Sequence, residues 1–189
     1  MQILIISIFL LFGLFFLGAK VVATPAQVVI IRHGEKIDDI DPNLSEKGQK
    51  RAKALVDLFL KNPELSKYGS PVAIFATNPK ANGSLRSIQT VTPLSERIGQ
   101  PINRDFSKKK IPALVDFIMQ NPSYKGRTVV ISWVHESIPE LAKKFGSALA
   151  PIKWKSRSFD RVWILNFDPK AVFSFKDIPQ KLLPGDSSN

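Results

Sequence analysis

The stretch Val28-Val29-Ile30-Ile31-Arg32-His33-Gly34-Glu35-Lys36 decides how the rest of the chain is read. Its branched apolar run, with Gln27 before it, reads as the first strand of an alternating strand-and-helix pattern. Directly behind the run stand a planar guanidinium, an imidazole and a glycine whose bare backbone lets a ligand approach closely. A second apolar run, Val129 to Val134, ends the same way, on His135, and the chain has only these two histidines. In an open parallel sheet, ligands bind in the crevice at the carboxyl ends of the strands. Two strands therefore deliver both histidines to one edge. A hydrogen-bonded structural role competes for either histidine alone, but it does not explain Arg32 and Gly34 beside His33.

Outward from these strands, short β-branched runs alternate with amphipathic stretches, the pattern of a mostly parallel sheet covered by helices. Ser45 is placed to cap a helix in which Ala52, Leu55, Val56 and Phe59 recur at helical spacing, closing near Asn62-Pro63. Pro71 to Thr77 reads as a strand, and Ser84 to Ile98 as a helix with Pro93 as a kink or break and Gly99 at its end. A short strand over Pro101 to Phe106 and a helix over Ile111 to Gln120 follow. Thr128 to Val134 is the central strand, and Ile138, Leu141, Ala142 and Phe145 mark the helix after it. Arg161 to Phe167 and Val172 to Phe175 pair as an edge hairpin turning at Asp168-Pro169-Lys170. Trp133 and Trp163 fall in core strands, while Trp154, between two lysines, is expected exposed near the mouth of a site. The expected fold class is α/β, a three-layer sandwich with a mostly parallel central sheet between helices.

Three segments divide the chain. Ile3 to Ala19 is an almost unbroken apolar run, and Val21-Val22-Ala23 suits signal-peptidase cleavage, so residues 1–23 read as an export signal. Left uncleaved, the run would anchor the chain in a membrane. Residues 24–180 form the single α/β domain, and residues 181–189 are expected to be a flexible tail. The expected location is periplasmic or secreted. Cysteine is absent, which removes disulfides, thiolate nucleophiles and cysteine-based zinc sites together. The net charge of +11 attracts anions without naming them. Nucleic acid is disfavoured, because the basic residues are scattered and form no stripe interleaved with aromatics. Lys108-Lys109-Lys110 is most simply a solvated helix start.

Phosphoryl transfer needs a nucleophile in line with the leaving oxygen and fixed positive charge on the equatorial oxygens. With no cysteine in the chain, His33 is the candidate nucleophile and Arg32 the adjacent charge.

At these residues the chain resembles the histidine phosphatase, or phosphoglycerate mutase-like, superfamily. Arg32-His33-Gly34 looks like its R-H-G motif, and Leu44-Ser45-Glu46-Lys47-Gly48-Gln49 resembles its L-[ST]-x-x-G-x segment. Ser84-Leu85-Arg86-Ser87-Ile88-Gln89-Thr90 is similar to the stretch that supplies a second arginine. Ser132 to Pro139 occupies the place of the second histidine, and Ser158-Phe159-Asp160-Arg161-Val162-Trp163 resembles the entry to a late strand. The matches keep the family's order over residues 27 to 175. The resemblance implies that His33 is phosphorylated and that Arg32, Arg86 and His135 bind the phosphoryl group. Val134 and Glu136 flank His135 where glycine and serine are usual, and the segment before Ser84 offers no carboxylate. Glu136 is then the first candidate for the general acid, with Glu35 and the Asp38, Asp39 and Asp41 cluster behind it. That cluster has a plainer reading as a solvated loop. Ser45 is favoured as a helix cap over a direct phosphate contact, and Lys36 either extends the pocket or lies on its rim.

The leading expectation is a phosphatase that hydrolyses phosphate monoesters through phosphohistidine on His33, with no metal and no cofactor. Its substrate would be an anionic phosphorylated small molecule or a phosphoprotein. The alternative is a catalytically weak or inactive phosphate-binding or sensing module of the same fold.

Overall fold

A computed structural model describes residues 24–79, 83–168 and 173–188. The apolar run at 3–19, the cleavage site after Ala23 and the turn at Pro169-Lys170 lie outside the described residues. Among those described, no helix is long and apolar enough to cross a membrane.

The first strand, β1 (Gln27–Arg32), is buried at every position. It is followed by α1 (Glu46–Lys61), β2 (Ala73–Ala76), α2 (Arg86–Ile98), β3 (Ile102–Asn103), α3 (Ile111–Gln120), β4 (Thr128–Trp133), α4 (Ile138–Lys144), β5 (Arg161–Phe167) and β6 (Phe173–Pro179). They build one sheet in the order β3-β2-β4-β1-β5-β6. The pairs β3-β2, β2-β4 and β4-β1 are parallel, while β5 runs antiparallel to both β1 and β6. The sheet is thus mostly parallel, with an antiparallel hairpin at one edge.

Alternation along β1 divides the core in two. Val28 and Ile30 pack with Leu114, Ile118 and Leu141 from α3 and α4, whereas Val29 and Ile31 pack with Leu55, Phe59 and Leu94 from α1 and α2. Each buried branched side chain contributes about 2 kcal/mol of hydrophobic stabilisation. The result is three layers, with β1 and β4 central and covered on both faces.

Three expectations change. Pro93 does not end α2, which runs on to Ile98 and stops at Gly99 in the left-handed conformation (φ 67°). A helix packed on one face of a sheet tolerates one missing N–H, because packing supplies most of its stability. Trp154 is buried, its Nε1 donates to the Ser158 carbonyl (2.9 Å) and its ring lies 4.9 Å from that of Trp163. Its lysine neighbours point the segment outward while the indole turns in. The tail also packs on the domain: the Asp186 side chain, only 4% exposed, pairs with Arg51, and the Ser187 N–H donates to Asp160.

Candidate active site

The parallel ladder aligns Arg32 with Trp133, and the His33 N–H extends it by donating to the Trp133 carbonyl (3.2 Å). That register brings the residue after β1 alongside the residues after β4. His33 is buried, and its Nδ1 lies 2.7 Å from the Gly34 carbonyl. A carbonyl only accepts, so Nδ1 carries the proton and Nε2 keeps its lone pair. Burial is the main cause that lowers the His33 pKa, to about 4. The Gly34 hydrogen bond opposes the shift, and the positive fields of Arg32, Arg86 and His135 add to it. At neutral pH His33 is an uncharged imidazole with a nucleophilic nitrogen in a cationic surrounding.

The turn that carries His33 is fixed from two sides. The Gly34 N–H donates to Thr90 Oγ1 (2.8 Å), which itself donates to the Arg86 carbonyl (2.7 Å). On the other side the turn lies against the first turn of α1. A Cβ on Gly34 would sit 3.0 Å from the Gly48 carbonyl oxygen, and one on Gly48 would sit 2.3 Å from that of Glu35. Backbone meets backbone there, which explains both glycines. Ser45 is the N-cap of α1: its Oγ accepts from the Gly48 N–H (3.2 Å) and donates to the Glu35 carbonyl (3.2 Å). Its hydroxyl is therefore committed to the backbone rather than held toward a phosphate.

Arg32 is buried, with its guanidinium carbon 3.8 Å from the centre of the Phe159 ring. Nη1 donates to the carbonyls of Ser156 (2.5 Å) and Ser158 (3.3 Å), and the buried Nε has no partner. Burial lowers its pKa to about 10, so it stays cationic at neutral pH. Arg86, the first residue of α2, is buried too. Its Nη2 donates to the carbonyls of Asp38 (2.9 Å) and Asp41, and its Nε to that of Asn43 (3.3 Å). It thus holds the loop between β1 and α1 while standing close enough to bias His33 and Arg32.

His135 opens a single 3-10 turn, His135–Ser137, that leads into α4. Its Nδ1 is 3.3 Å from Glu136 Oε2, and the Glu136 side chain is 66% exposed. Burial first and then the charge of Arg32 lower the His135 pKa, with Glu136 opposing. The four residues Arg32, His33, Arg86 and His135 are therefore gathered at one sheet edge, and Glu136 lies at its solvent side.

The other carboxylates are occupied. Glu35 receives Arg51 Nε on Oε2 (2.9 Å) and Nη2 on Oε1 (2.7 Å). Burial raises its pKa, but Arg51 outweighs that and holds it below the ordinary carboxylate value. Glu35 stays ionised and is corrected from reserve acid to ion-pair partner. Asp38 Oδ1 accepts from the backbone of Ile40 and Asp41, Asp39 pairs with Lys36, and Asp41 accepts from Asn43, so the cluster shapes a loop. Among the described residues no group of three or more His, Asp or Glu side chains is placed to hold a metal ion.

Two supporting roles, those of Thr90 and Arg51, were not read from the sequence. Thr90 stands one helical turn after Arg86, a spacing that puts both on one face of α2. Arg51 lies on the apolar stripe of α1, next to Ala52 and one turn before Leu55, where a buried charge signals a partner elsewhere.

No family model matches this chain, and neither does any curated protein sequence. Solved structures do match in fold. Phosphoglycerate mutase from Bacillus anthracis superposes with a TM-score of 0.60 at 13% identity, over 85% of this chain and 95% of that one. The mycobacterial glucosyl-3-phosphoglycerate phosphatase gives 0.57 at 15%, over 82% and 97%. The protein histidine phosphatase SixA, solved with tungstate, gives 0.51 at 13%, over 82% and 97%. The chain shares the α/β fold of these proteins. Its arrangement is phosphoglycerate mutase-like, with one six-stranded sheet flanked by four α-helices among the described residues.

Proposed function

We propose that this chain is a phosphatase that hydrolyses phosphate monoesters through a phosphohistidine on His33. The observation that carries the reading is the state of His33: buried, uncharged, with Nδ1–H held by Gly34 and Nε2 bare among Arg32, Arg86 and His135. Nε2 attacks phosphorus as the ester P–O bond breaks. The arginines and His135 balance the charge on the equatorial oxygens. The leaving alkoxide takes a proton from Glu136, the carboxyl beside His135. Water then attacks the phosphohistidine, Glu136 accepts its proton, and phosphate leaves with Nε2 free again. Proteins of this fold named as a glucosyl-3-phosphoglycerate phosphatase and a protein histidine phosphatase support a phosphorylated small molecule or a phosphoprotein as substrate.

Rapid quench into alkali, which preserves phosphohistidine, is expected to trap one labelled phosphate per chain during turnover. Saturable phosphate binding with no such species would instead support a binding or sensing module. The hold of loop carbonyls on Arg86 Nε and Nη2 favours that second reading, since it occupies two of the three nitrogens that would balance charge in the transition state.

The pH profile provides a further check. Nucleophilic attack needs neutral His33, so its contribution to kcat/KM is present above a pKa of about 4 and lost as pH falls through it. With a substrate whose own ionisation lies outside this range, the acid limb is expected near pH 4. An ordinary exposed imidazole would place it near 6.5.

A further inference from the structure

Arg51 is 2% exposed in its side chain and uses all five of its N–H donors. Nε and Nη2 reach Glu35, Nη1 and Nη2 reach Asp186 (2.9 and 2.7 Å), and Nη1 also reaches Gln180 Oε1 (2.8 Å). Asp186 in turn accepts from the N–H groups of Leu182 (2.9 Å) and Leu183 (3.1 Å). A second arm leaves the same segment. Gln180 Nε2 donates to the carbonyls of Phe159 and Arg161 (both 3.2 Å), its N–H donates to the Asp160 carbonyl (2.7 Å), and the Ser187 N–H donates to Asp160 Oδ2 (2.5 Å).

The far ends of both arms are residues of the candidate site. Glu35 follows His33-Gly34, and Phe159 packs on the Arg32 guanidinium and lies 5.9 Å from the His33 ring. Buried ion pairs are replaceable by apolar side chains with little loss of stability, so a network this complete is better explained by the geometry it imposes.

We propose that the C-terminal segment 180–188 is a positioning element of the phosphate site. Asp186 acts through Arg51 and Glu35 on the turn of His33, and Gln180 acts through Phe159 on the guanidinium of Arg32. None of these residues touches the reacting atoms. The inference rests on the phosphatase reading for its consequence in catalysis, but its structural readout does not.

With only two histidines, the full chain labelled with 15N-histidine gives ring signals from His33 and His135 alone. In Asp186→Asn the His33 ring nitrogens are expected to shift toward a mixture of tautomers while those of His135 stay in place. In turnover, kcat falls about tenfold and KM stays within about twofold, as a misplaced nucleophile requires. Gln180→Leu tests the second arm, with the same direction expected at His33. His33 signals that superimpose on the parent's in both folded variants overturn the proposal.

A measurement on the unaltered full chain decides the matter if the variants do not fold. Inorganic phosphate is expected to move the His33 signals and to slow amide exchange at Leu182, Leu183 and Ser187, because coupling between two sites is reciprocal. Movement at His33 without slower exchange at those amides overturns the positioning role. No movement at His33 counts against the phosphate site itself, and the two failures are thereby told apart.

Discussion

Alanine at position 33 is expected to reduce phosphate release from an aryl phosphate by about 10⁴-fold or more, the scale on which loss of a covalent nucleophile is felt. Arg32, Arg86 and His135 remain in the variant, so phosphate binding should persist while turnover and the alkali-stable phosphoenzyme disappear. Phosphate release measured beside phosphate binding separates those effects, and retained hydrolysis would sink the mechanism. The same variant changes the dependence of stability on pH. In the parent, the folded His33 pKa of about 4 lies below its ordinary value of 6.5. The unfolded chain therefore binds the proton more readily, and stability declines as pH falls from 6.5 toward 4. Alanine removes that contribution, so denaturant unfolding at pH 5 and pH 7 should differ less in the variant than in the parent.

The second large effect is expected at Gly48, and its sign reverses what helix propensity alone would give. Gly48 is the third residue of α1 and has no left-handed backbone, so alanine there would ordinarily stabilise the helix by about 1 kcal/mol. Its Cβ, however, would stand 2.3 Å from the Glu35 carbonyl oxygen and 2.9 Å from the Glu35 nitrogen. That carbonyl also accepts from the Ser45 N–H (2.9 Å) and hydroxyl, so it cannot retreat without loosening the cap of α1. Gly48→Ala is expected to destabilise the fold by about 3 kcal/mol, read from denaturant unfolding. Because Glu35 lies two residues after His33, kcat/KM should fall by about 10² as well. Unchanged stability would show that the turn shifts freely.

Much of the architecture was legible because it rests on local pattern. The apolar run at 28–31 read as the first strand and the one ending at Val134 as the central strand; β1 and β4 are buried throughout, and Val134, just past β4, is half-buried. The stretch from Ile111 to Gln120 read as a helix, and the observed bounds of α3 are those expected. The late hairpin also lies at the sheet edge as anticipated. Trp154 misled because flanking lysines report where a segment lies, whereas the indole's own direction depends on Trp163 and Ser158. The tail misled because glycine, proline and serine composition carries no information about a buried partner. Asp186 and Arg51 meet across 135 positions of chain.

For the site, residue type and place in the chain indicated the ingredients. A strand ending in Arg32-His33-Gly34, a second ending before His135, and Arg86 at the start of a helix were all visible without coordinates. Their chemistry follows from bonding capacity, which is a property of each residue. Which nitrogen of His33 is bare, that Glu35 is held ionised by Arg51, that Ser45 faces the backbone and that Gly48 admits no Cβ are different in kind. Each depends on distances between segments far apart in the chain, and hydrogen bonding and repulsion decide such matters over tenths of an ångström. Local pattern thus set the layers and assembled the residues of the candidate site, while contacts between distant segments settled which groups are free to act and which hold the others in place.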